Sequence, residues 1–465
     1  MIPHPVAYWG CWALALYLYW REIKKNKEVT RSLWLPTLWI MRCGSRTIDY
    51  WLGVENGGRM DPIFVFVLIV LGLIALSKRP CHWGGVIAHN SWLFIFYAYL
   101  AASLIWVQSL DNPFIKIFRP LGDLIMALVV ATEPNPGKAI GTLFRRCAYL
   151  LIPMSIVLIR YYPEMGTMQS KHWGDDMWIG VTTHKNPLGQ LCLVSAFGFF
   201  WWLAEKKREG LPLKKERLAW IYLFLTAYLL TGGFGASPQK SSTSIICLFL
   251  VVSLYLVLGR YRERPWMVTR SLIGAVICIG ILSVILQFFG TSLQGVVAAT
   301  QGKDATLTDR TYLWQDVIRI GMRHPFLGSG YGGFWVESIY SELSPQADNH
   351  PEEAHNGYLE TFANLGFVGV GLLIMLLLQS LRSAMISMQD DFEYGRIRLV
   401  LLIMALVMNY SEATFTVGTH LWWFGFLAVA VYARPWVAWP EPVQAPVSLP
   451  DRHEQITGEE EAVIA

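Results

Sequence analysis

Charged residues are scarce in this sequence, at 15% of 465 residues against about 25% in an ordinary globular domain. Hydrophobic residues make up 54%, and the mean hydropathy is +0.38. This composition excludes soluble and disordered proteins and predicts a surface that mostly faces lipid. The formal net charge of +4 is too small to predict a nucleic-acid partner.

Other absences narrow the class further. The seven cysteines include no C-x-x-C pair, and none lies in a predicted outer loop, so neither a disulfide framework nor a zinc site is predicted. No basic segment precedes the first apolar run and no A-x-A-like cleavage site follows it, so we expect a retained helix. The chain contains no internal repeat.

Long apolar stretches, by contrast, are frequent, and many approach the roughly 20 residues that cross a bilayer as a helix. The first, fifth and last two are short enough to be re-entrant or interfacial. The sequence therefore predicts an all-α, polytopic transmembrane helical bundle of about 12 to 13 spans. The stretches lie at 5–20, 33–54, 62–77, 91–108, 117–132, 141–160, 187–204, 217–232, 243–260, 267–290, 357–380, 396–412 and 420–434.

Basic residues are distributed unevenly among the loops. Alternate loops hold 23 of the 38 Lys and Arg residues, which predicts that these loops are cytoplasmic. The N-terminus and the long loop 291–356 then lie outside, and the C-terminus lies inside. We expect four regions: about ten spans in 1–290, the large outer loop 291–356 with short amphipathic helices, the last spans in 357–434, and a disordered, Pro-rich, acidic tail at 435–465.

The outer loop carries an amphipathic helix pattern. Asp309 is the candidate N-cap, and Leu313, Val317 and Ile320 form one apolar stripe. We expect this helix to lie on or in the membrane interface, with Arg310 in its first turn. Arg310 is a candidate ligand for an anion, and the alternative is an arginine solvated at the lipid headgroups.

A second cluster, at 349–360, leads directly into an apolar helix. His355 lies where the loop meets the helix N-terminus, whose dipole favours a neutral, basic imidazole. Glu352 and Glu353 act in the opposite direction, so the sequence leaves the charge of His355 open. His355 is a candidate general base, or else a residue that caps the helix. Asn356 and Tyr358, beside it, are candidates for substrate binding.

Two further basic clusters precede or interrupt predicted spans. His184 and Lys185 stand immediately before a span, where a helix N-terminus favours anions; the alternative is an interfacial anchor. Arg42 and Arg46, four residues apart in the span 33–54, are expected to share one helix face and to bind substrate. The alternative for Arg46 is internal pairing, for example with Asp49 or Asp123.

Two familiar kinds of site are not predicted. Gly328, Gly330 and Gly333 match G-x-G-x-x-G, but no strand precedes them, so they predict a tight turn and not a dinucleotide site. No cluster of carboxylates with metal-ligand spacing stands near His355 in the sequence. We therefore expect a mechanism without metal or other cofactor.

Three segments together resemble the O-antigen ligase and polymerase superfamily. They are 310–335 (RTYLWQDVIRIGMRHPFLGSGYGGFW), 354–369 (AHNGYLETFANLGFVG) and 180–189 (GVTTHKNPLG), and the last is similar to the loop of exopolysaccharide-polymerase-like members. The resemblance implies an inner-membrane glycosyltransferase that transfers a glycan from undecaprenyl diphosphate on the periplasmic face. The acceptor is a saccharide, either lipid A core or a growing polysaccharide, and other membrane proteins of polysaccharide assembly are candidate partners.

The resemblance also implies roles for particular residues. His355 activates the acceptor hydroxyl, Arg310 contacts the diphosphate, and Lys185 takes the position of a second basic residue that many ligases fill with arginine. Sequence alone does not separate ligase from polymerase. A transporter or flippase of lipid-linked sugars is the alternative class, although such carriers place ionisable residues near the midplane and commonly contain repeats.

Overall fold

We analysed a computed structural model of the chain. The structure describes residues 3–54, 58–107, 113–169, 176–233, 241–268, 270–271, 310–344, 351, 353–413, 415 and 421–433. Most of the predicted span 267–290, Asp309, Glu352 and the tail beyond 433 lie outside the described residues. Within the described ranges nearly all regular structure is helical, which confirms the predicted all-α class.

The described residues form seventeen α-helices and one short β-hairpin. The first helices are α1 (His4–Lys25), α2 (Trp34–Cys43), α3 (Ile48–Trp51), α4 (Met60–Ser77), α5 (Trp83–His89), α6 (Ser91–Ala102), α7 (Pro113–Ala131), α8 (Pro136–Tyr161) and α9 (Pro163–Gly166). The antiparallel strands β1 (Thr167–Gln169) and β2 (Asp176–Trp178) follow. The remaining helices are α10 (Lys185–Arg208), α11 (Arg217–Leu230), α12 (Ser242–Leu258), α13 (Arg310–Gly321), α14 (Glu337–Tyr340), α15 (Gly357–Asp390), α16 (Phe392–Ser411) and α17 (Leu421–Ala430). Short 3₁₀ turns lie at Arg31–Leu33, Ser103–Ile105, Leu213–Lys215 and Gly259–Tyr261.

Five of the described helices are long and apolar enough to cross a membrane: α4, α8, α10, the helix formed by α12 with its 3₁₀ extension, and α15. The pair α5 and α6, bent by 82°, makes a sixth if it is one broken span. These helices confirm a polytopic membrane protein. The count of 12 to 13 spans stays a prediction.

Helices α8 and α10 lie in the centre of the bundle. Their most apolar segments are 78% buried inside the protein, whereas those of α4 and the extended α12 are only 33% and 28% buried. A helix that is apolar on every face and mostly exposed is suited to contact with lipid. The centre and the lipid-facing periphery are therefore distinguished by burial.

The prediction of one helix over 33–54 is wrong. Helix α2 ends at Cys43, Gly44 is its C-cap, and Arg46 lies in the connection before α3. Arg42 and Arg46 therefore do not share a helix face. The sequence signal for the break was the polar group Gly44, Ser45 and Thr47. Thr47 caps α3, because its side chain accepts a hydrogen bond from the backbone N–H of Tyr50.

Helix α15 contains a break at Gly366, in its N-terminal third. Gly366 has φ of +65°, and a Cβ at this position would lie 2.3 Å from the carbonyl oxygen of Phe326. The backbone N–H of Phe367 and of Val368 donate to the carbonyls of Pro325 and Phe326, so the loop fills the break. Residues 357–365 thus form a short upper helix that is anchored to the loop after α13.

Candidate active site

The described part of helix α13 covers Arg310–Gly321, and its apolar stripe faces protein. Leu313, Val317 and Ile320 are buried in a small core that also contains Phe334 and Ala363. The stripe therefore packs on protein, and the position of this helix at the membrane interface stays a prediction. The helix that follows His355, α15, packs on α13. This packing fixes the position of the helix that carries Arg310.

Glu412 lies at the centre of the candidate site. Its Oε1 accepts hydrogen bonds from Nη2 of Arg310 at 3.2 Å and from Nδ2 of Asn186 at 2.8 Å. Its Oε2 lies 3.3 Å from Nδ1 of His355. One buried carboxylate thereby joins three segments that are far apart in the chain: the start of α10, the start of α13 and the residues before α15.

Glu412 was not among the residues predicted for the site, and the carboxylates that sequence spacing did not place in a cluster with His355 do form one in space. Glu353 Oε1 lies 2.9 Å from Nδ1 of His355, so two carboxylates face the same ring nitrogen. A signal for Glu412 was available. It ends the predicted span 396–412, and an acidic residue at the edge of an apolar segment is a functional candidate by default.

The backbone of His355 has an uncommon conformation. Its φ is +48°, and among the described residues it is the one non-glycine residue with positive φ. Such a conformation costs on the order of 1–3 kcal/mol and persists where the surroundings determine it. The next residue, Asn356, caps α15, because its Oδ1 accepts hydrogen bonds from the backbone N–H of Tyr358 and of Leu359. His355 itself is therefore not the capping residue.

The two carboxylates decide the charge of His355, which the sequence left open. Burial alone would lower its pKa, but the hydrogen bonds and negative charges of Glu353 and Glu412 outweigh burial and raise that pKa to about 9. Burial would raise the pKa of Glu412, but its hydrogen bonds and charge interactions with His355 and Arg310 outweigh burial and hold that pKa below its ordinary value. Carboxylates only accept, so Nδ1 carries a proton, and the lone pair of neutral His355 is on Nε2.

His184 and Lys185 lie beside this cluster. Nδ1 of His184 accepts a long hydrogen bond (3.5 Å) from the backbone N–H of Asn186 and so caps α10, while Lys185 begins that helix. Burial and then the positive charges of Lys185, His355 and Arg310 lower the pKa of His184, against the opposing effect of Glu412. Lys185 interacts electrostatically with Arg310 and Glu412. The structure therefore brings His184, Lys185, Arg310 and His355 together, as the hypothesis of an anion site requires.

Other predicted site residues have contacts of their own. Arg42 forms a buried, bidentate ion pair with Asp61, at 3.1 and 2.6 Å, and no described contact joins it to His355. Arg46 donates to the hydroxyl of Tyr50 at 2.7 Å and to the carbonyl of Met165 at 2.5 Å. These partners are not the Asp49 or Asp123 that the sequence suggested for it. Substrate binding by Arg46 stays a prediction.

Tyr358 lies in the first turn of α15. Its hydroxyl donates to the carbonyl of Leu406 at 3.2 Å, and its ring meets Phe415 edge to face. The side chain is thus partly buried against α16. Substrate binding by Tyr358 stays a prediction.

The group Glu353, His355 and Glu412 also has ligand atoms close enough for a metal ion, all within 4.8 Å of one another. A histidine and two carboxylates would suit a divalent cation. Two features oppose this. Arg310 and Asn186 already bind Glu412, and Lys185 adds positive charge nearby. A metal-independent site therefore stays a prediction.

Two comparisons with known proteins bear on the class of this membrane protein. Residues 225–374 match the family model described as O-antigen ligase, a segment that includes Arg310 and His355. The chain is also 26% identical over 305 residues to the exopolysaccharide production protein ExoQ of Rhizobium meliloti (strain 1021). That alignment covers 63% of this chain and 65% of the relative.

The helical bundle and the site define a polytopic membrane protein with a basic cluster around one histidine. The family match and the relative support the O-antigen ligase and polymerase superfamily for this chain, and confirm the resemblance drawn from its motifs.

Proposed function

We propose that this chain is an integral membrane glycosyltransferase. Its donor is a glycan on undecaprenyl diphosphate, its acceptor is a saccharide hydroxyl, and transfer occurs on the periplasmic face of the bacterial inner membrane. The superfamily match supports a protein that joins or polymerises membrane-linked glycans. The name of the relative supports a role in exopolysaccharide production.

The observation that carries the proposal is the convergence of one base and several cations. His355 stands within 3.3 Å of the carboxylate that also binds Arg310, and His184 and Lys185 adjoin them. Transfer from a diphosphate needs a base for the acceptor and positive charge for the leaving group. These requirements favour the cluster as the reaction centre.

The reaction is a single inverting displacement. The acceptor oxygen attacks the anomeric carbon, and its proton passes to Nε2 of His355. The bond between that carbon and the diphosphate oxygen breaks, and the electron pair leaves with undecaprenyl diphosphate. Glu412 and Glu353 hold Nδ1–H of His355 and stabilise the imidazolium that forms, as a carboxylate does in a catalytic triad.

Arg310 and Lys185 bind the departing diphosphate, and Asn356, Tyr358 and His184 line the substrate site. The carboxylate of Glu412 pairs with Arg310 and so competes with the diphosphate for this arginine. When the diphosphate approaches Arg310, it takes over part of this charge interaction, and Glu412 keeps its contact with His355. Donor binding thereby leaves the base with its carboxylate partner.

Between the two acceptor classes, we favour polymerisation of a surface polysaccharide over ligation to lipid A core, because the relative is an exopolysaccharide production protein. A transporter of lipid-linked sugars would not need a base paired with carboxylates at the end of its helices. The cluster around His355 therefore favours an enzyme.

A deletion strain tests the proposal and separates the classes. We expect single, unpolymerised repeats on undecaprenyl diphosphate, restored to polymer by the wild-type gene and not by a His355→Gln gene. Long polymer that remains on undecaprenyl diphosphate would indicate a ligase. Lipid-linked repeats retained on the cytoplasmic face would indicate a flippase and contradict the proposal.

A further inference from the structure

Glu360 is a buried carboxylate just after His355 that the mechanism above does not use. It lies in the first turn of α15 and is 2% exposed. Its Oε2 accepts from the backbone N–H of Ala354 at 2.9 Å, and its Oε1 accepts from Nδ2 of Asn364 at 2.8 Å. The indole N–H of Trp335 reaches both oxygens, at 3.0 and 3.1 Å.

All of these partners are donors, which makes the site specific for a carboxylate. A glutamine at position 360 would turn its NH₂ group towards one of the three N–H groups, whichever way its amide is oriented. Two donors would then face each other in a buried place. Glu360 is therefore not interchangeable with its amide, although the two side chains have nearly the same shape.

The peptide groups of Ala354 are held from both sides. Its N–H is bound by Glu360, and its carbonyl accepts from Nε1 of Trp314 at 2.9 Å. Trp314 lies on α13, four residues after Arg310. Ala354 is fully buried and directly precedes His355, whose φ is +48°. The contacts that fix Ala354 thus connect the helix of Arg310 with the backbone of His355.

We propose that Glu360 is a positioning residue that, with Trp314, clamps Ala354 and so sets His355 against Glu412 and Arg310. The inference rests on the proposed function, in which His355 is the base. Loss of the clamp lets the strained backbone at His355 relax, and its ring leaves the two carboxylates. Glu360 does not touch substrate.

The experiment uses Glu360→Gln in the purified full-length protein, with Glu342→Gln as the matched control. Glu342 lies on the same outer loop and pairs with Arg323 at the surface. We expect Glu360→Gln to lower the turnover rate by about 10²-fold, because small misplacements of a catalytic group have effects of this size. KM for the donor should change little, and the control should keep wild-type turnover.

A second readout does not depend on glycan transfer. Diethyl pyrocarbonate modifies neutral imidazole, so the pH dependence of His355 modification, measured by mass spectrometry, follows the titration of His355. We expect its midpoint to move to lower pH in Glu360→Gln and to stay unchanged in Glu342→Gln. An unchanged midpoint and turnover in Glu360→Gln would overturn the inference.

Trp314→Phe supplies an independent variant, because it keeps an aromatic ring and removes the N–H that donates to Ala354. If Glu360→Gln does not fold, Trp314→Phe decides. We expect the midpoint of His355 modification to move to lower pH in this variant, and an unchanged midpoint would refute the clamp. If His355 proves dispensable for transfer, the proposed function fails, and the modification midpoint still tests the clamp separately.

Discussion

Oε2 of Glu412 lies 3.3 Å from Nδ1 of His355, across 57 residues of sequence. The other oxygen of the same carboxylate binds Arg310. One acidic side chain therefore couples the candidate base to the candidate diphosphate ligand. Variants of Glu412 and Arg310 can therefore separate the two roles.

The pH dependence of transfer should reflect the raised pKa of His355. A pKa of about 9 leaves only about one neutral imidazole in a hundred at pH 7. A general base acts in its neutral form, so we expect the transfer rate to rise with pH from 7 and to level off above about 9. A rate that falls over this range would mean that protonated His355 is the active form.

Glu412→Gln should move this pH profile. Removing the negative charge beside Nδ1 lowers the pKa of His355, so the rising limb shifts to lower pH. We also expect a lower plateau rate, because the imidazolium loses a partner. Glu393→Gln is the control, since Glu393 pairs with Arg396 and Arg208 at the other end of α16. An identical profile in Glu412→Gln and wild type would show that this carboxylate does not act on His355.

Arg310→Lys should impair donor use, because lysine keeps the charge and loses the planar fork that binds phosphate oxygens. A hydrogen bond to a charged group contributes about 1.5–3 kcal/mol, so we expect kcat/KM for the donor to fall about 10-fold to 100-fold.

Arg319→Lys is the matched control on the same helix. Arg319 pairs with Asp316 and donates to the carbonyl of Glu342, away from the cluster. Its variant should keep wild-type kcat/KM. Equal losses in the two variants would point to damage to α13 and not to a lost diphosphate contact.

Chelation tests the role of metal. Glu412 is already bound by Arg310 and Asn186, so transfer by the purified protein should be unchanged by EDTA and by added Mg²⁺ or Mn²⁺. A divalent-dependent soluble glycosyltransferase assayed in the same buffer controls for chelation. Activity lost in EDTA and restored by one of these ions would make Glu353, His355 and Glu412 a metal site.

The buried pair of Arg42 and Asp61 should matter for stability. Removing one partner of a buried ion pair costs about 3–5 kcal/mol, so Asp61→Ala should lower the thermal stability of the protein in detergent. Arg42→Met with Asp61→Met should recover much of this loss. If Asp61→Ala is stable but binds donor poorly, Arg42 acts in substrate binding and not in stability.

The sequence predicted the parts of this fold that depend on local pattern. Apolar length identified membrane helices, and the stripe in 310–321 identified α13. The end of α2 at Cys43 was missed because apolar residues lie on both sides of the polar group at 44–47, so that 33–54 was taken as one span.

Long-range contacts account for most of what the sequence did not reveal. His355, Arg310 and Lys185 stand in recognisable motifs, whereas Glu412 directly follows α16 and enters the site through the packing of that helix. The charge of His355 depends on Glu412, so it could not be read from neighbouring residues alone.

Glycan transfer by purified His355→Gln, in lipid vesicles that contain the undecaprenyl-diphosphate-linked donor, decides whether His355 is the base of the reaction. His324→Gln is the control, because His324 lies on the same loop beyond the end of α13. We expect His355→Gln to fold, to bind donor and to transfer glycan at least about 10²-fold more slowly than wild type, while His324→Gln is unaffected. Transfer at the wild-type rate by folded His355→Gln would contradict it.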